Sequence, residues 1–163
     1  MERTGSTGLT MSGVMFTLVV PGPMAGVIPW FITRWRFQPA FFGLELLRWA
    51  GAAAIAVGIV LLAAAILTFG REGVTAYPPC TKIVDCDLYA YTRNPMYTGV
   101  LLIMSGQGWL FASAGMLWYA LGWFVFFHVF ESTFDEPFLK KKFPDTYLRY
   151  HESVPRWIPR LRK

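Results

Sequence analysis

Charge is scarce in this chain. Asp, Glu, Lys and Arg make up 15% of its 163 residues, against about 25% in typical soluble domains. Cysteine and histidine are scarcer still, with two of each. Cys80 and Cys86 share one loop without CxxC spacing, and only His128 and His151 could join them. A zinc site is therefore not expected, and the cysteines read as free thiols. A strand–glycine loop–helix unit is also missing, which argues against a soluble α/β nucleotide fold. The lone Gly106-Gln107-Gly108 lies inside an apolar run and reads as helix packing. A cleavable leader is poorly supported. Residues 11–20 have the length of a signal core, but one arginine and one glutamate precede them and no A-x-A site follows.

Apolar sequence is abundant. Hydrophobic residues account for 55% and aromatics for 17%, and they fall in long blocks, so the membrane class is indicated. The net charge is +5. Its basic residues crowd the C-terminus beside apolar spans, which suits anionic lipid headgroups better than nucleic acid. The expected fold is an all-α integral membrane protein, one domain over residues 1–163. It has about four transmembrane helices, a C-terminal helical hairpin and a cytoplasmic C-terminal cap.

The spans are expected at about residues 9–33, 46–69, 95–110 and 115–133, with a loop at 70–94 and a tail at 134–163. In the first block Pro21, Pro23 and Pro29 predict a kink, because proline lacks the N–H that the helix needs. Lipid tolerates this only where neighbouring groups satisfy the freed carbonyls. Trp30 and Trp35 suit a membrane interface. In the second block Ala50, Ala54 and Gly58 recur four apart, a stripe for close helix packing. The run 95–130 is almost uncharged and about twice the length of one crossing. The small residues of "FASAG" divide it into an antiparallel pair. With four spans, both termini share a side with the 70–94 loop. Twelve Lys and Arg lie there against three on the other side, so that side is cytoplasmic by the positive-inside rule.

The hairpin brings "TRNPMYTG" and "ESTFDEP" to one membrane face. The first stretch has a complete structural reading: Pro95 in the first helical turn, Asn94 as N-cap and Arg93 reaching headgroups. The second is harder to explain so. His128, Glu131 and Asp135 at i, i+3, i+7 share a helical face, with Glu136 beside it. Acids entering lipid are costly unless they face a cavity or partner. Opposite Arg93 they read as a charged pocket. The tail mixes Phe138, Phe143, Tyr147 and Leu148 with lysines and arginines, as an interfacial segment or a packed cap does.

These residues resemble a known family. Arg93-Asn94-Pro95-x-Tyr97-x-Gly99 is similar to the R-[H/N]-P-x-Y-x-G motif of small integral-membrane methyltransferases, which include isoprenylcysteine carboxyl methyltransferases and phospholipid N-methyltransferases. Asp135-Glu136-Pro137 resembles the family's E-E-P. "FLKKKFPDTYLRYHESVPRWIPR" resembles its tail, and "FGREGVTAYPP" its F-x-x-x-G-x-x-T-x-x-P loop. Asp135 departs from the usual glutamate, Pro144 from a glycine, and Asp87-Leu88-Tyr89 from G-P-Y. The resemblance implies S-adenosylmethionine bound at the cytoplasmic ends of the last two helices, and a lipid or lipid-linked acceptor, either a prenylcysteine carboxylate or a phospholipid amine. It implies cofactor contacts from Arg93, Asn94, Pro95, Tyr97, Gly99, Asp135, Glu136, Tyr147 and Arg149. Arg93, Glu131 and His128 are the catalytic candidates, the last two as proton acceptors for an amine or thiol. A smaller hydrophobic amine or thiol acceptor stays open. So does a non-enzymatic adaptor or carrier with a charged interfacial pocket.

Overall fold

A computed structural model describes residues 22–72, 83 and 86–159. All regular structure among them is helical: α1 (Pro23–Thr33), α2 (Leu46–Glu72), α3 (Pro95–Leu110), α4 (Ala114–Phe130), α5 (Glu136–Lys142) and α6 (Pro144–Ser153). A wide five-residue turn, Glu131–Asp135, joins α4 to α5 without a break. Residues 9–21 of the expected first span, Cys80, and most of the "FGREGVTAYPP" segment fall outside the described residues.

Two helices are long and apolar enough to cross a membrane, Leu46–Thr68 and Ala114–Lys142. Only 17% and 22% of their apolar windows are buried inside the protein, so neither is the core helix of a soluble fold. Their outer faces expose Trp49, Val60, Leu67, Trp118, Phe126 and Val129. The other two expected spans are shorter than these two helices, and the one expected at 95–110 has those bounds. α3 has 16 residues, about 24 Å at the helical rise of roughly 1.5 Å, and α1 is described only from Pro23 onward.

Backbone contact between α2 and α3 builds the centre. A Cβ on Gly51 would lie 2.7 Å from the Gly106 carbonyl, and one on Gly58 2.7 Å from that of Gly99. Glycine at both crossings lets the main chains touch. The contact stripe runs Gly51, Gly58, Ala65, seven apart, and not through Ala50, which is exposed. The expected stripe of Ala50, Ala54 and Gly58 shares Gly58 with this line and diverges from it at Ala50. The other side of α3 meets α4, where Gly108 packs on Leu117 and Met104 and Met116 are fully buried.

The hairpin turns where the small residues predict. Ala112 takes a left-handed φ of 53°, and the Ser113 hydroxyl accepts from the Met116 N–H at 3.3 Å, an N-cap worth about 1 kcal/mol.

α1 opens with a wide turn, Pro23–Val27, and Pro29 is buried. Pro29 has no N–H for the carbonyls four or five residues earlier, Ala25 and Met24. Both are satisfied across the bundle. Gln107 Nε2 donates to Ala25 O at 2.7 Å, and the Tyr119 hydroxyl to Met24 O at 3.2 Å. Trp30 and Trp35 are exposed, and the Arg34 guanidinium lies 4.7 Å over the Trp30 ring.

The tail returns to the start of α3. The Arg93 N–H donates to Pro155 O at 2.9 Å, the Thr92 hydroxyl to Arg156 O at 2.9 Å, and the Tyr150 hydroxyl to Tyr89 O at 2.9 Å. Trp157 packs on Phe124 with ring centroids 5.3 Å apart.

Candidate active site at the open end of the hairpin

Three pieces of chain meet at this end: the segment leading into α3, the wide turn after α4, and the returning tail. Each supplies charge. Arg93 Nη1 donates to Glu136 Oε1 at 2.9 Å, with both side chains over nine-tenths buried. Arg156 Nη2 donates to the same oxygen, and Arg156 Nη1 to Ser132 Oγ at 2.9 Å. Arg156 Nε lies 3.5 Å from Glu131 Oε2. Lys140 and His151 approach the other Glu136 oxygen at 3.9 and 3.7 Å. Two buried carboxylates thus face two guanidinium groups, the pairing that burial of charge demands.

The wide turn creates this arrangement. Its Glu136 N–H bonds to the Glu131 carbonyl five residues back, so these two residues stand one above the other. In an α-helix, five residues place side chains about 140° apart. Glu131 and Glu136 are both buried, at 4% and 6% exposure, while His128 faces outward. The expected shared face of His128, Glu131 and Asp135 therefore divides. His128 leaves it and accepts from Trp157 Nε1 at 3.4 Å.

Tyr97 closes one side. Its ring stacks on Phe127 with centroids 4.5 Å apart and planes within 7°. Its hydroxyl donates to Asp135 Oδ2 at 3.2 Å. Tyr147 closes another side, 3% exposed, with its hydroxyl 3.5 Å from Arg93 Nη1. Burial, and after it the Glu136 carboxylate, pushes the Tyr147 phenol up from its ordinary range. It stays protonated at neutral pH. Burial also pushes His151 down, as does Arg93, against the opposing pull of Glu136.

Asn94 precedes α3 but its side chain makes no capping bond. Its Nδ2, Arg93 Nε and Glu131 Oε2 are buried without a hydrogen bond of full geometry, although Asn94 lies against the Glu131 carboxylate and Arg156 Nε stands 3.5 Å from Oε2. Unpartnered buried polar atoms are rare and costly, by about 1–3 kcal/mol each. Arg93 Nε is the clearest unsatisfied donor of the three, since Glu131 has both Asn94 and Arg156 beside it.

The remaining expected residues lie as follows. Pro95 starts α3, and Gly99 is the glycine that packs on Gly58. Arg149 is on the exposed side of α6, its Nε donating to Asp145 O at 3.3 Å. The arginine that enters the cluster is Arg156. It stands in the "VPRW" of the tail resemblance, so the signal was present, but spacing alone does not separate one tail arginine from another.

The sequence profile of the phospholipid methyltransferase family matches residues 46–146. The chain belongs to this family. A comparison with curated proteins found no match. The matched region contains Arg93, Asn94, Tyr97, Glu131, Asp135 and Glu136, and ends before Tyr147 and Arg156. Family membership makes the chain a membrane methyltransferase acting on lipids.

Proposed function

We propose that this chain is an S-adenosylmethionine-dependent methyltransferase with four spans, its termini and active site on the cytoplasmic side. Its acceptor is a lipid or lipid-linked group, a phospholipid amine or a prenylcysteine carboxylate. The observation that carries the reading is the Arg93–Glu136–Arg156–Glu131 cluster, buried at the open end of the hairpin with Arg93 Nε left without a hydrogen bond. An amino-acid end carries one carboxylate and one ammonium. Arg93 Nε and Asn94 Nδ2 are donors suited to the carboxylate, and Glu131 Oε2 is an acceptor suited to the ammonium. Buried Arg93 and half-buried Arg156 against two buried glutamates make a neutral lining for a zwitterion, and the residues present fit the group.

When bound, S-adenosylmethionine supplies an electrophilic methyl group on a sulfonium. The chain's own residues do the rest. Arg93 and Arg156 hold Glu136 in place, and Glu136 orients both guanidinium groups. Tyr147 and the returning tail exclude water from the cluster, which strengthens its electrostatics. Tyr97 offers an aromatic face to a cation. Transfer by in-line displacement asks mainly for positioning. An amine or thiol acceptor must shed a proton. Glu131 is the acceptor for it inside the cluster, whereas His128 stands outside. Exposed Phe138, Leu148 and Ile158 beside Lys140, Lys141 and Lys142 suit a tail seated on anionic lipid.

Calorimetric titration with S-adenosylmethionine tests the reading. Wild type should give saturable heat. Arg156→Ala should weaken binding by roughly tenfold or more, the cost of a lost charged hydrogen bond. Arg149→Ala should bind like wild type. No heat from folded wild type would remove the reading, and equal effects of the two substitutions would remove the assignment of Arg156.

A further inference from the structure

Arg93 leads into α3, and the turn between α1 and α2 meets the other end of that helix. Three arginines stand at this far end. Arg48 is fully engaged: its Nε lies 2.8 Å from Glu45 Oε2, and its other nitrogens donate to the Leu110 carbonyl at 3.5 Å and to the Gln38 carbonyl. Arg34 and Arg36 are exposed, and neither side chain makes an ion pair or a hydrogen bond with any described residue. Their surroundings are aromatic. The Arg34 guanidinium lies 4.7 Å over the Trp30 ring and 5.2 Å over that of Phe31. Phe31, Trp35 and Phe37 are each more than half exposed. The backbone is bent to keep this arrangement. Arg34 and Trp35 both take a φ of 50°, a left-handed region that bulky side chains rarely adopt. Buried Thr33 holds the bend, its hydroxyl accepting from the Trp35 N–H at 3.1 Å and its carbonyl from the Arg36 N–H at 3.0 Å.

We infer that this turn binds the phosphate of an anionic phospholipid in the leaflet opposite the candidate active site. Arg34 and Arg36 supply forked donors that match phosphate oxygens. The rings around them sit at headgroup level, where aromatic side chains are favoured. Two positive charges without a carboxylate favour a lipid of net negative charge over a zwitterionic one, whose ammonium they repel. The site goes beyond the methyltransferase reading and does not depend on it. It also gives these arginines a purpose on the side that, in the four-span arrangement, the positive-inside rule leaves poor in them. The lysines of the tail form a second basic surface at the other end of the bundle, so the two ends must be read separately.

Photocrosslinking separates them. The full chain in liposomes is irradiated with phosphatidylglycerol carrying a photoreactive group beside its phosphate, and the adducts are mapped by peptide mass spectrometry. Adducts should fall within residues 30–49. Unlabelled phosphatidylglycerol should compete for them, and phosphatidylcholine and inorganic phosphate should not. With Arg34→Gln and Arg36→Gln combined, their yield should fall roughly tenfold or more. Lys141→Gln with Lys142→Gln, on the tail, should leave it unchanged. Thermal unfolding in lipid-free detergent checks that the arginine variant is folded. It should melt within about 3 °C of wild type, while added phosphatidylglycerol should raise the wild-type midpoint more than that of the variant. An unchanged yield in the arginine variant, or equal competition by phosphatidylcholine, would overturn the inference. Competition by inorganic phosphate would overturn the lipid as occupant. A variant that melts far below wild type without lipid would show the two arginines to be structural and would overturn it as well.

Discussion

At the scale of single residues, the cluster is held by few groups, each touching several others. Glu136 alone joins α3, α5, α6 and the tail through Arg93, Lys140, His151 and Arg156. His151 makes this arrangement sensitive to pH. Burial comes first, with Arg93 next, and they hold its pKa below the ordinary 6.5. The unfolded chain therefore takes up a proton that the folded chain resists. The stability this contributes is present above about pH 6.5 and fades as pH falls through the folded value. The midpoint of thermal unfolding should drop between about pH 7.5 and pH 5, and His151→Gln should shrink that drop. A larger drop in the variant would contradict the assignment. Arg93, Tyr97 and Glu136 were legible at this scale, since their types and order match a motif pair. Arg156 was not singled out, because the tail offers several arginines and only the return of Val154–Pro155 to Arg93 selects one.

At the scale of elements, glycine decides how α2 and α3 meet. Gly51 and Gly58 bring main chain against main chain, and a Cβ at 2.7 Å from a carbonyl has nowhere to move. Gly51→Ala should destabilise by about 1–3 kcal/mol, the usual cost of overpacking. Gly122→Ala, on α4 with nothing within 4 Å of its added Cβ, should be neutral or slightly stabilising. Thermal unfolding in detergent compares the two, and equal effects would refute the main-chain contact. The hairpin and its turn at "FASAG" were readable because an uncharged run twice the needed length must fold back at its small residues. The stripe on α2 was readable in kind and at Gly58, but not at its start. Ala50 and Gly51 are both small, and the partner's own glycines choose between them. Gln107 was legible only as packing. Its hydrogen bond to Ala25 depends on which carbonyl Pro29 frees.

At the scale of the whole molecule, the fold carries charge at one end and an apolar girdle along α2 and α4. The proposed orientation rests on the basic residues, twelve of which the four-span reading assigns to the side of the termini. In a chain with Cys80 and Cys86 replaced, Phe42→Cys, 91% exposed, should react with an impermeant maleimide from outside the cell. Ser153→Cys, exposed at the end of α6, should react only in inverted vesicles. Labelling of both from one side would refute the four-span arrangement. The membrane class and the pairing of the two motifs were legible at this scale from composition and block length. The register after α4 was not, because a wide turn leaves no mark in residue spacing.

That turn also sets how the chain tolerates change in length. Residues after Asp135 keep their phase only because the turn holds one residue more than an α-helical turn does. Removing Thr133, whose own side chain is exposed, would leave Glu131 and Glu136 four residues apart, about 40° around an ordinary α-helix, so the turn can close to an α-helical one and keep Glu136 facing Arg93. A substitution at an exposed position here is a local event. An insertion at the same position acts like a frameshift in three dimensions, whereas a single deletion is taken up by the extra residue the wide turn already holds.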